Sequence, residues 1–468
     1  MAERTQLVRG LTPVHAGALV VGTVVGTGIF LKAGIMSQTV GAPHWMLLAW
    51  IVAGVLSFMG ALIYAEIGTL FPRAGGEYVY LREAYGDLPG FLYGWMRFWI
   101  ASPGSIAAYA VGGATFIGAT NLSGLNGHRT PLAVGFIMFF TALACLSVGF
   151  GGRVQSFVTM LKIVIIAGLT LAIFVFSSTG SWSHFVSHAG AGTGWPGFAP
   201  FGAAVLAALW AYDGWNNMPM VAGEIQNPQR SIPLSLIVGV GGVMLIYTLA
   251  NAAYVYALPF GELLSANSKI HPEGLPAATK AASGFLGASG TVFLSIAFFI
   301  SAMGALNGSI LTSSRIPYAM ATENMMPRFL AAVHPRTHVP VRSVLIQGGW
   351  AAVLAISGTF DQITDYVVFA GWVFYALAAI SLIVFRIRMP AAPRGYRAPF
   401  YPWLPLAFAG AAIALLINTL VTAPRESLTG LAFIVSGVPV FLWMRRKGVT
   451  GVSRRANAAE TDATGDGP

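Results

Sequence analysis

The sequence predicts an all-α membrane protein of twelve transmembrane helices, arranged as two five-helix repeats plus two added helices, and three observations carry this. Hydrophobic residues make up 56% of the 468 and charged residues only 9%, against about 25% charged in a soluble domain. One soluble core cannot absorb so much apolar sequence, so the excess faces lipid; the mean hydropathy is +0.71. The apolar runs are roughly 20 residues long rather than roughly 10 with alternation, which excludes a β-barrel. The net charge of +10 would suggest nucleic acid in a soluble chain. Here the basic residues sit between apolar runs, so no nucleic-acid partner is expected. The single Cys145 excludes a disulfide framework and a cysteine-based metal site.

Taken in order, the chain opens on a short polar segment, residues 1–13, without a removable signal peptide. Apolar spans follow near 14–40, 45–70, 90–118, 131–150, 156–178 and 198–223. Six more lie near 231–257, 283–320, 341–358, 363–385, 402–422 and 428–444. An even number puts both termini on one side. With the N-terminus inside, nineteen of the 26 Lys and Arg residues fall in inside segments and four in outside segments. That bias predicts cytoplasmic termini in a cell (inner) membrane. A single transmembrane domain, 14–446, is expected, with repeats at about 14–178 and 198–385. A small polar tail, 447–468, reads as disordered.

Two spans are interrupted in matching places. The first contains Gly22-Thr23-Val24-Val25-Gly26-Thr27-Gly28-Ile29-Phe30, and the sixth contains Trp210-Ala211-Tyr212-Asp213-Gly214-Trp215-Asn216-Asn217. Glycine in a helix costs about 1 kcal/mol against alanine, and aspartate at the centre of a membrane helix about 3 kcal/mol. Such sequence persists at depth where it lines a cavity or is buried in protein. Paired broken helices mark a transporter's substrate site. A restarting half-helix offers N–H groups and a positive dipole end to a carboxylate. A stopping one offers carbonyls to an ammonium group, so together they suit a zwitterionic amino acid. A lone Gly-x-Gly more often serves close helix packing; the second break, with its acid, favours a site.

These residues carry a resemblance. Gly22–Phe30 is similar to the first-helix motif of the amino acid–polyamine–organocation superfamily, as is Glu66-Ile67-Gly68 followed by Phe71 to Tyr78. Trp210–Asn217, Glu224 to Pro228, Asn307-Gly308-Ser309 and Ser313-Ser314-Arg315 resemble its L-type amino acid transporter branch. The resemblance runs from about residue 11 to 446. It implies the five-plus-five inverted repeat shared with sodium-coupled neurotransmitter transporters, with helices 1 and 6 broken. It implies a carboxylate site on the backbone of Thr27, Gly28 and Ile29, with Gly26 allowing the break. It places an amine site on the carbonyls of Val24, Trp210, Ala211 and Asp213, an aromatic gate at Trp210, and Asn216 and Trp215 near the side-chain pocket. Animal members join a heavy chain through a cysteine after span three. The loop Asn121 to Pro131 has none, so no disulfide-linked partner is expected.

Lys162 stands six residues into span five, at a cost of roughly 3 kcal/mol unless paired. Its position alone leaves pairing and snorkelling to the headgroups equally open. The resemblance implies that its ammonium replaces a sodium ion, bridging carbonyls near Val25–Gly26 and the hydroxyl of Ser309. Asp213 either recognises a cationic substrate side chain or caps the half-helix restarting at Gly214. Arg97 is expected to snorkel, Lys32 to point to the outer vestibule, and Glu66 and Glu224 to anchor loops or form gate salt bridges. No Ser/His/Asp or metal constellation supports an enzyme, and no cofactor is expected. The implied function is sodium-independent exchange of neutral and, through Asp213, cationic L-amino acids by alternating access. A proton-coupled amino acid or polyamine transporter of the same fold is the alternative, with a membrane enzyme or channel as readings of another class.

Overall fold

The computed structural model describes residues 6–118, 128–186, 194–268, 270–271, 274–357 and 360–447. Regular structure among the described residues is helical, apart from an isolated parallel bridge between Leu11 and Ile225. In chain order the α-helices are α1 (Pro13–Val24), α2 (Gly28–Val40), α3 (Pro43–Leu70), α4 (Glu77–Tyr85), α5 (Asp87–Met96) and α6 (Ser102–Gly118). They continue as α7 (Arg129–Ala144), α8 (Val148–Phe176), α9 (Phe198–Tyr212), α10 (Pro228–Ala257), α11 (Phe260–Leu264) and α12 (Ala277–Ser313). The last are α13 (Arg315–Thr322), α14 (Val341–Ser357), α15 (Phe360–Arg388), α16 (Trp403–Thr422) and α17 (Pro424–Arg446). A π-helical turn, Arg97–Ala101, joins α5 to α6, and 3-10 turns cover Trp182–Val186, Trp215–Glu224 and Arg328–Ala331.

Nine stretches among the described residues are long and apolar enough to cross a membrane, and α7 and α14 are shorter apolar helices. The sixth apolar run is divided, as α9 and then the 3-10 segment Trp215–Glu224. The cysteine-free loop Asn121 to Pro131 lies largely, and the tail after Lys447 wholly, outside the described residues.

Local chemistry sets the helix ends. Thr12 caps α1: its hydroxyl accepts from the His15 N–H, His15 returns an acceptor to the Thr12 N–H, and Pro13 occupies the first helical position. Ser147 caps α8 by accepting from Phe150 N–H at 3.1 Å. The sequence of α8 has two faces. Gln155, Thr159, Lys162, Ile166, Leu169 and Ile173 recur at spacings of three and four and are buried. Phe157, Met160, Val164, Leu171 and Val175 face outward, as lipid-facing residues do. Helix α1 packs against α8, α10 and the 3-10 segment Trp215–Glu224, while α2 packs against α9. The two interrupted spans therefore lie side by side, enclosed by α6, α8, α10 and α12.

Candidate functional site

The first break spans Val25 to Thr27, between α1 and α2. A Cβ on Gly28 would stand 2.5 Å from the Ala211 Cβ and 3.0 Å from the Trp210 ring, so the close approach to α9 requires glycine. The N–H groups of Thr27, Gly28 and Ile29 have no backbone acceptor among the described residues, and no side chain caps α2. The Thr27 hydroxyl is likewise buried without a partner. These are the orphan donors at the positive end of a helix.

The second break follows α9. Asp213 is extended and Gly214 has φ 115°, where a Cβ would stand 2.9 Å from the Thr23 carbonyl oxygen. The two breaks bond to each other, since the Thr23 hydroxyl donates to Gly214 O at 2.8 Å. The Tyr247 hydroxyl of α10 is shared between Val24 O at 3.0 Å and Ala211 O at 3.2 Å. It brings the carbonyl ends of both half-helices to one point, each oxygen keeping a second lone pair. Tyr109 of α6 reaches Thr23 O at 3.4 Å and lies against Gly26. The Trp210 ring sits beside Gly28, and the Lys32 ammonium lies 4.5 Å from its centroid. Lys32 is 8% exposed, so it is packed onto the aromatic ring rather than extended into a vestibule.

Lys162 is 1% exposed, and its Nζ donates to Gly22 O at 2.8 Å and Val25 O at 2.6 Å. It does not snorkel, because it lies on the buried face of α8. The carbonyls it engages are those of Gly22 and Val25. The hydroxyl that joins them is not that of Ser309, which makes no hydrogen bond. It is that of Ser301, about two turns earlier on α12, donating to Val25 O at 3.2 Å and Gly26 O at 3.0 Å. Two residues before Ser309, Asn307 donates to Gln155 at 2.8 Å.

Beneath the breaks lies a buried polar cluster. Asp213 Oδ1 accepts the hydroxyl of Tyr375 on α15 at 2.7 Å. Asn216 turns its amide to Glu77 Oε1 at 2.9 Å, where Tyr64 also donates at 3.0 Å. Tyr93 donates to the other oxygen, Oε2. Glu77, on the short helix α4 between two spans, is fully buried; burial raises its carboxyl above the usual range, partly offset by Arg97 and these donors. Arg97 does not snorkel: it is 6% exposed and donates to Asn217 Oδ1 at 2.9 Å, because the π-turn holds it inside the bundle.

Two further carboxylates, Glu224 and Glu66, are held in ion pairs. Arg315 forms a bidentate pair with Glu224 at 2.7 and 3.0 Å, both side chains fully buried. Glu224 also offers its backbone carbonyl to Leu11 N–H at 2.9 Å. Glu66 is held by Arg386 at 2.7 Å, Arg394 at 3.1 Å and the Ala398 N–H at 2.7 Å. Tyr247, Tyr109, Ser301, Glu77 and Tyr375 escape sequence reasoning. Only Glu77, a charge in a glycine-rich turn, carries a local signal. No group of His, Cys, Asp or Glu among the described residues could hold a metal ion.

A family model described as amino acid permease matches residues 11–444. The serine/threonine exchanger SteT of Bacillus subtilis is 30% identical over 432 residues, covering 92% of this chain and 95% of that protein. The b(0,+)-type amino acid transporter 1 of Homo sapiens is 31% identical over 444 residues, covering 93% and 88%. The human cystine/glutamate transporter is 28% identical over 445 residues, covering 94% and 86%.

Proposed function

Since this chain belongs to the amino acid permease family, we propose that it exchanges L-amino acids across the membrane by alternating access, without sodium. The chain is an amino acid transporter. We read it as twelve spans: the nine long apolar stretches, α7, α14, and α9 with its 3-10 continuation. The five-plus-five repeat then pairs the α1–α2 break with the α9 break, and both termini lie in the cytoplasm.

The observation that carries the reading is the set of uncapped N–H groups at Thr27, Gly28 and Ile29, a helix start with no acceptor of its own. A substrate carboxylate satisfies them, and the ammonium meets the Val24 and Ala211 carbonyls that Tyr247 aligns. Lys162 holds a positive charge against the Gly22 and Val25 carbonyls, where a coupling cation would otherwise be needed. Trp210 closes over the substrate from the other side, stiffened by Lys32. Exchange is supported by the Bacillus relative, a serine/threonine exchanger.

The test is counterflow in proteoliposomes. Labelled serine or alanine should enter faster when the lumen holds unlabelled amino acid, equally in sodium and in choline buffer. Amino acid amides and decarboxylated amines should compete poorly. Equal competition by an amino acid and its amine overturns the carboxylate site. A second reading, proton-coupled uptake, rests on the buried carboxyl of Glu77. It requires uptake into empty vesicles driven by an inwardly directed proton gradient.

A further inference from the structure

A cavity of about 1000 Å³ opens on the cytoplasmic side and shares no residue with the two breaks. Its walls are the N-terminal segment at Gln6, Leu7 and Arg9, the loop at Pro72–Ala74, Val79 of α4, Gly223 of the 3-10 segment, the end of α13, and the stretch from Arg328 to the start of α14 at Arg342. Four arginines line it (Arg9, Arg73, Arg328 and Arg342) with one carboxylate, Glu323. That carboxylate is already engaged, since it pairs with Arg82 and lies 3.8 Å from Arg73. Arg73 is also paired with Glu83, and Arg82 with Asp87.

The remaining arginines are different. Arg328 donates to the Asn324 side chain at 2.8 Å. Among the described residues, Arg9, Arg328 and Arg342 have no carboxylate within ion-pair distance. All three are exposed on the wall of one concavity. Three like charges facing one volume repel each other unless an anion lies between them, and guanidinium groups bind phosphate oxygens in a forked geometry. A volume near 1000 Å³ is that of a pocket for a nucleotide-sized or lipid-headgroup-sized ligand.

We propose that this cavity is a binding site for a phosphate-bearing cytoplasmic anion, held by Arg9, Arg328 and Arg342. Because Arg9 belongs to the N-terminal segment, the ligand ties that segment to α14 and to the turn after α13. Leu11, two residues on, is bonded to Glu224 and Gln226 beside the buried Arg315 pair. The binding statement itself is independent of the transport reading.

The ligand chemistry has two sources, a free phosphate compound or an anionic lipid headgroup. The experiment uses the full chain in uncharged detergent, titrated by calorimetry and by thermal shift. The probes are inorganic pyrophosphate and short-chain phosphatidylglycerol, with short-chain phosphatidylcholine as control. One of the two phosphate probes should bind with Kd below about 1 mM and weaken as salt rises. Arg328→Gln and Arg342→Gln, exposed positions that leave the core intact, should each weaken it about tenfold. Arg425→Gln, at the start of α17 and remote from the cavity, should leave it unchanged. Saturable pyrophosphate binding indifferent to phosphatidylglycerol assigns a soluble ligand. Displacement of pyrophosphate by phosphatidylglycerol but not phosphatidylcholine assigns the headgroup. Absence of binding by both phosphate probes, or binding unaltered in both arginine variants, overturns the proposal.

Discussion

Replacing Lys162 by methionine keeps most of the side-chain volume and removes only the charge and its two hydrogen bonds. Those bonds, to Gly22 O at 2.8 Å and Val25 O at 2.6 Å, are of the charge-assisted kind, each about 1.5–3 kcal/mol. Against them stands the desolvation of a buried ammonium, itself several kcal/mol. The two nearly cancel, so the melting temperature of Lys162→Met should move by only a few degrees. The carbonyls fare differently. Val25 O keeps the Ser301 hydroxyl, but Gly22 O loses its side-chain donor. An orphaned buried acceptor costs roughly 1–3 kcal/mol, and it does so in the geometry of the break that the substrate needs. If that geometry is the one lost, exchange falls about 10- to 100-fold. The assay is counterflow at matched protein per vesicle, with melting measured on the same preparation. Wild-type exchange in Lys162→Met would refute the reasoning, and so would sodium stimulation of the wild type. A large loss of stability in step with activity would assign Lys162 to scaffold alone.

Trp210→Ala should abolish exchange and Trp210→Phe retain part of it; Lys32→Met, which removes the ammonium over the ring, should weaken apparent substrate affinity about twofold to thirtyfold, from roughly 0.5–2 kcal/mol of cation–π contact. Glu224→Gln leaves Arg315 buried with its ion pair broken, so it should destabilise the protein by about 3–5 kcal/mol; a double-mutant cycle with Arg315→Gln, read by thermal melting, should show strong coupling, and additive losses would contradict it. Glu77, with its carboxyl raised by burial above 4.5, adds stability while protonated and loses it as pH rises through its folded value. The melting temperature of Glu77→Gln relative to wild type should therefore climb from pH 4.5 towards neutrality, and a difference independent of pH speaks against a buried titrating carboxyl. Tyr375→Phe breaks the 2.7 Å bond from α15 to Asp213 at the end of α9, whereas Asp213→Asn removes the charge and keeps an oxygen that accepts the same hydroxyl; selective loss of arginine and lysine transport in Asp213→Asn, with alanine and leucine retained, identifies side-chain recognition, whereas parallel loss of all four in both variants identifies a structural link.

What the sequence discloses here depends on whether a residue's role is local. The breaks at Val25–Thr27 and Asp213–Gly214 are local events, written in glycines that only a distorted helix or a close approach requires, and they are legible without any structure. Apolar runs likewise announce their own spans, except where helical geometry divides them, as at Asp213–Gly214. Lys162 marks the boundary. Its depth in span five is visible, but its direction depends on the phase of α8. That phase was also present in the sequence: Gln155, Thr159 and Lys162 fall at i, i+4 and i+7, a polar stripe that cannot face lipid. Ser301 and Ser309 show the opposite case. They lie eight residues apart on one helix, so periodicity puts both on similar faces. Only the height at which α12 crosses the break selects Ser301 for Val25 and Gly26. Tyr247 and Tyr109 are further removed, since a tyrosine in an apolar run reads as an interfacial residue. Their hydroxyls acquire meaning because unwinding α1 and α9 frees carbonyls that a buried donor then satisfies. The same logic separates Arg97 from the snorkelling arginines. A π-turn begins at Arg97, and its guanidinium donates to Asn217 of the 3-10 segment, a partner 120 residues away that the neighbouring sequence does not announce. Sequence thus exposes where the backbone must break, and tertiary packing decides which polar groups meet the broken ends.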